Sequence, residues 1–101
     1  MDSAAFREQI TEQFLQRLEE SKYLHYPLMN RIEGRIRTKD QLERYIAVLV
    51  HKLEARQFRD DWLTDRVDRL FMLHERLERY QRSGATAPDG YWDTVAAASL
   101  N

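Results

Sequence analysis

His25, His51 and His74 are the side chains best suited to hold a metal or to move a proton near neutral pH. Their spacing works against both tasks. No two of them lie three or four residues apart, and neither a His-Glu-x-x-His nor a Glu-x-x-His run occurs, so no single helix presents a chelating pair of that kind. His51 and Glu54 share a helix face but offer two ligands where a site needs three or four. Nucleophiles are equally scarce. There is no cysteine and no Gly-x-Ser-x-Gly elbow, and Ser3, Ser21, Ser83 and Ser99 fall near predicted helix ends or in the tail. The adjacent carboxylates Glu19-Glu20 and Asp60-Asp61 suit a helix end and a helix cap. Gly34 stands apart from the other two glycines, so no phosphate-cradling loop can be drawn. Together these readings predict no catalytic residue, no metal and no cofactor, hence a non-enzymatic role.

Arginine is the abundant functional side chain, supplying 13 of the 16 basic residues. Its planar fork suits carboxylates, phosphates and aromatic faces, which makes it common at interfaces. From Arg31 to Arg59 there are eight basic and four acidic residues, whereas Met1 to Glu20 has two basic and five acidic. Such a dipolar chain favours contact with a protein partner or a second copy. The basic run Arg31, Arg35, Arg37, Lys39 lacks interleaved aromatics and is flanked by Glu33 and Asp40. With a net charge of −1, this argues against a nucleic-acid partner. Arg31, Arg35 and Arg37, with Tyr91 and Trp92 outside the apolar stripes, are therefore the candidate partner-binding residues.

These groups must be positioned by helices, because two prolines and three glycines leave few places for turns. Ser3 caps a first helix that ends near Lys22, with Phe6, Ile10, Phe14 and Leu18 on one stripe and Leu15 beside it. Pro27 opens a short helix running to Glu33, which Gly34 ends in the left-handed conformation. Thr38 and Gln41 form a capping box for a third helix. There "IAVLV", residues 46–50, is apolar all the way round. It is either the central helix of the domain or a dimer contact, for which Ile46, Leu49, Val50 and Leu53 are the candidates. The stripe loses phase between Glu54 and Asp61, predicting a break near Phe58 to Asp61 with Asp60 or Asp61 as the next cap. A fourth helix carries Leu63, Val67, Leu70, His74 and Leu77, broadened by Phe71 and Leu73. "SGATAPDG", residues 83–90, is a loop.

The chain thus reads as all-α: residues 1–82 form a bundle of about four main helices plus the short one, expected to dimerise. Residues 83–101 form a loop and a C-terminal tail able to add a short helix or to act as a docking peptide. One domain is all that 101 residues can build. The first residues are acidic where a signal peptide would be basic, and no apolar run approaches the roughly 20 residues needed to span a bilayer. A soluble, cytoplasmic protein is expected.

Residues 25–45 resemble the second and third helices of the heme-oxygenase-like fold shared by heme oxygenases and the TenA and PqqC enzymes. Pro27, Leu28, Ile32, Gly34, Ile36, Thr38, Gln41, Leu42 and Tyr45 match its spacing. Tyr26 stands where a histidine often precedes the proline, and His25 lies one residue earlier. The resemblance implies helical topology and, as an alternative function, a half-domain binding a small ligand such as heme in a pocket made by two chains. "MNRIEGR" is also similar to the inhibitory helix of antitoxins that block Fic-domain enzymes, through Glu33 and Gly34, with Met29 in the place of the hydroxyl residue. Both leave the same preferred expectation: a small helical interaction module acting as a regulator, antagonist or accessory subunit of another protein.

Overall fold

Asp2, rather than Ser3, starts the first helix: its Oδ1 accepts a hydrogen bond from the Ala4 N–H at 3.0 Å, and Ser3 becomes the first helical residue. Either residue can cap, but the carboxylate adds a favourable charge at the positive end of the helix dipole. In the computed structural model, which describes residues 2–22, 26–55 and 61–97, five helices follow in order. They are α1 (Ser3–Glu20), α2 (Tyr26–Arg35), α3 (Lys39–Glu54), α4 (Asp61–Arg82) and α5 (Tyr91–Ala96), with no strand among the described residues. The fold is all-α, as the apolar periodicity predicts.

The buried face of α1 is Thr11, Leu15 and Leu18. Phe6 is 49% exposed, and Ile10 and Phe14 are half-buried, so the stripe is turned from the predicted phase. Residues 2–9 are all exposed, and burial starts with half-buried Ile10 and buried Thr11. The helix stops at Glu20, two residues before the expected end, with Ser21 as C-cap. Buried Lys52 donates from Nζ to the Ser21 carbonyl at 2.7 Å, placing a cation at the negative end of α1.

Gly34 does not terminate α2. The helix continues through Arg35, and among the described glycines it is Gly84 that has a positive φ, 77°. Thr38 caps α3 as predicted, accepting from the Gln41 N–H at 3.2 Å. The reciprocal half differs: the Gln41 amide oxygen accepts from the Arg37 N–H, at 2.8 Å, one residue before the cap. In α3, Leu42, Tyr45, Ile46, Val48 and Leu49 are buried, Val50 and Leu53 are half-buried, and Ala47 is exposed. Three of the five "IAVLV" residues are therefore core within one chain, whereas Ala47 lies on an exposed stripe with Glu43, His51 and Glu54.

α3 ends at Glu54 and α4 begins at Asp61, so one helix from Lys39 to Arg82 is excluded. The predicted break over Phe58 to Asp60, and Asp60 as a cap, lie outside the described residues. α4 packs on α3 antiparallel, as the Glu43 to His74 contact requires. It buries Leu63, Arg66, Val67, Leu70, Leu73 and Leu77, whereas Phe71 is 45% exposed. It closes in a Schellman motif: Ala85 N–H donates to Tyr80 O and Gly84 N–H to Gln81 O, with Gly84 as the left-handed residue.

α1 packs on α2 and α3, and α5 folds back on α2. Tyr91 and Val95 of α5 enter the same core as the other helices, and the Tyr91 hydroxyl donates to the Leu73 carbonyl of α4 at 2.5 Å. The tail from residue 91 to 97 is thus part of the domain. With extents of 39 × 34 × 21 Å, the molecule is two helix layers thick.

Candidate functional site

Two arrangements of charged side chains stand out, one inside the bundle and one on its surface. Inside, α2, α3 and α4 each contribute a polar group to one point. Glu33 is fully buried; the Tyr45 hydroxyl donates to its Oε1 at 2.9 Å, and Arg66 Nη1 lies 3.3 Å from Oε1 and 3.4 Å from Oε2. The same Nη1 is 3.5 Å from Asn30 Oδ1, and the guanidinium sits 3.8 Å from the Trp62 ring centroid. Tyr26 meets Trp62 edge-on at 4.5 Å. One guanidinium nitrogen reaching both carboxylate oxygens at more than 3.2 Å is looser than a two-pronged Arg–carboxylate pair. Desolvation therefore wins: burial pushes the Glu33 carboxyl up to about 7, although Arg66 and the Tyr45 hydrogen bond both pull it down. Burial likewise holds the Tyr45 hydroxyl well above its ordinary range.

An acid with a near-neutral pKa suits proton transfer, but a general acid or base must come within about 3 Å of the proton it moves. Glu33 and Tyr45 are fully buried, and the three grooves described next are lined by other residues. The cluster acts as an internal tie among three helices. Its signal was present in the sequence as two opposite charges on apolar stripes: Glu33 among Met29, Ile32 and Ile36, and Arg66 among Leu63, Val67 and Leu70.

On the surface, the antiparallel pair α1 and α2 forms a seam lined by arginines. At one end, Arg17 of α1, the cap residue Ser21, and Pro27, Leu28 and Arg31 of α2 surround an open groove of about 430 Å³. At the other, Arg7, Thr11, Gly34, Arg35 and Arg37 surround one of about 300 Å³. None of these five arginines has a carboxylate within ion-pair distance among the described residues. The opposite flank of α1 is acidic: Glu8, Glu12 and Asp40 line a third groove with Thr11, Leu15, Thr38 and Gln41. There Arg44 bridges Glu12 and Glu19, at 3.3 and 2.8 Å, and holds the Glu19 carboxyl below its usual range.

The structure divides the residues proposed for partner binding. Arg31 lies in one groove and Arg35 and Arg37 in the other, and Arg7 and Arg17, distant in sequence, join them. Tyr91 is 4% exposed and spends its hydroxyl on Leu73, so it belongs to the core and offers no contact surface. Trp92 is half-buried, edge-on to Tyr91 at 4.8 Å. Of the dimer candidates, Ile46 and Leu49 are buried within one chain, and Val50 and Leu53 retain part of their surface.

The histidines do not converge. His51 is exposed on α3, and His25 lies outside the described residues. His74 sits between Glu43, 3.1 Å from Nε2, and Glu78, 3.3 Å from Nδ1. A neutral ring can donate to one of these carboxylates, the imidazolium to both. No group of three or more His, Asp or Glu placed to hold a metal occurs among the described residues. No described helix is long and apolar enough to cross a membrane. Against protein-family models, curated proteins and solved structures, the chain matches nothing.

Proposed function

We propose that this chain is a small non-enzymatic interaction module that binds a negatively charged surface of another protein along the α1–α2 seam, as a regulator, antagonist or accessory subunit. The observation that carries this reading is the row of five arginines, Arg7, Arg17, Arg31, Arg35 and Arg37, without carboxylate partners among the described residues. Five like charges on one seam repel one another, a cost that an acidic partner relieves. The apolar walls beside them, Leu28 and the Phe14 ring under Arg35, supply surface that would desolvate such pairs, where they are worth more than at an open rim. Steering by the same charges speeds association and weakens as salt is added.

The test is native mass spectrometry of the tagged chain purified from its own host, beside a variant carrying Arg17→Glu and Arg31→Glu. Both positions are exposed, so helicity should be retained. The expected result is a stoichiometric protein partner on the parent chain and none on the variant. A partner that remains on the variant, or a parent chain that carries none, would refute the reading.

A further inference from the structure

The geometry points to a phosphate monoester, presented by a side chain of the partner, as the occupant of the Arg7–Arg35–Arg37 groove. The inference rests on the interaction reading above and names the chemistry at one end of the seam. Three arginines line a groove of about 300 Å³, with no acidic residue in its lining. A carboxylate would leave two of the three charges uncompensated. A phosphate monoester brings close to two negative charges and three acceptor oxygens, and several arginines can each donate to it in pairs.

Two of the three arginines are already held. Arg35 lies over the Phe14 ring, 5.2 Å from its centroid, and Arg37 Nη1 donates to the Ile36 carbonyl at 2.7 Å. Less side-chain freedom is therefore lost when an anion arrives. The negative end of the α2 dipole lies nearby, but it amounts to about half a charge against three full ones. The acidic flank lies across Thr11, and its Glu12 is engaged by Arg44, which confines an anion to the basic side.

Gly34 supplies an independent indication. It is the penultimate residue of α2, in a helical conformation, where glycine favours the helix less than alanine does. A Cβ built there meets nothing within 4 Å. Neither backbone conformation nor packing within the chain calls for glycine, yet the position lines the groove. A bare backbone there leaves room for a ligand.

The experiment follows backbone amide NMR shifts of Thr11, Gly34, Arg35 and Arg37 at fixed ionic strength. Inorganic phosphate, acetyl-Ala-phosphoserine-Ala-amide, the same tripeptide with aspartate, and acetate are added in turn. The phosphorylated tripeptide is expected to saturate the shifts with an affinity at least equal to that of inorganic phosphate, and both should bind roughly tenfold or more tightly than the aspartate peptide. Arg35→Gln should weaken the binding by about tenfold. Gly34→Gln should abolish it while raising the thermal midpoint, so loss of binding cannot be ascribed to loss of fold. No saturable shift, equal response to aspartate or acetate, binding of free phosphate alone, or undiminished binding by Gly34→Gln would each overturn the assignment. If the partner is lost on Arg17→Glu/Arg31→Glu but the phosphopeptide never saturates, the phosphate assignment fails and the interaction reading survives. If the peptide binds but the chain carries no partner, the interaction reading fails, and this inference falls with it.

Discussion

At Glu33 two tendencies compete: burial favours the neutral acid, and the Arg66 cation favours the carboxylate. A folded-state pKa of about 7 against an ordinary 4.5 means that the fold holds this proton more tightly than the unfolded chain does. The associated stability is therefore fully present below about pH 4.5 and is lost as pH rises through 7, amounting to about 3 kcal/mol. Denaturant unfolding at pH 5 and pH 8, on the parent chain and on Glu33→Gln, should show a difference between the two proteins that changes by that order across the window. Identical pH dependence in the two proteins would mean that Glu33 stays ionised. Removing the partner instead, with Arg66→Met, leaves a buried carboxylate without a counter-charge. That variant should lose about 3–5 kcal/mol at pH 8 and less at pH 5, where the neutral acid needs no cation.

Gly34 and Gly84, both at helix C-terminal ends, differ in kind, and this separates what periodicity reveals from what it conceals. Gly84 is required: its φ of 77° belongs to the left-handed region, and Gly84→Ala should cost about 1 kcal/mol. Gly34 is not required by conformation, and Gly34→Ala should add about 0.5–1 kcal/mol, both read as shifts in denaturant midpoint. In the sequence both look like stops, because composition signals a break without reporting φ. The helices themselves were legible: Thr38 caps α3, Ile46, Val48 and Leu49 of the "IAVLV" segment are core, and residues 83–90 form a loop. The phase of α1 was not, because Phe6, Ile10 and Phe14 advertise an apolar face that the bundle covers only in part, leaving Phe6 exposed and Ile10 and Phe14 half-buried. Nor was the seam, since Arg7 and Arg17 join Arg31, Arg35 and Arg37 only through the packing of α1 on α2. The Glu33–Arg66 pair could have been read from charges lying on apolar stripes.

Across the whole molecule, the last helix decides whether the bundle is closed. As part of a separate tail, the segment after the loop could be removed at little cost; as α5, residues Tyr91–Ala96 carry core. Tyr91 is 4% exposed and Val95 is fully buried, Tyr91 bonds to the α4 backbone, and the helix rests on α2, whose Glu33 ties it to α3 and α4. Burying those two side chains is worth about 1.5–3 kcal/mol each, before counting the half-buried Trp92 and the hydrogen bond. A domain of this size has roughly 5–15 kcal/mol in total. Truncation after Asp89 should therefore remove most of the cooperative unfolding transition measured by circular dichroism and expose apolar surface to a hydrophobic dye. Tyr91→Phe, which loses the bond to Leu73 but keeps the ring, should cost only about 1 kcal/mol and leave the transition sharp. If the truncated chain melts as cooperatively as the parent and at the same temperature, α5 is a tail after all, and Tyr91 returns beside Trp92 as a candidate contact for a partner.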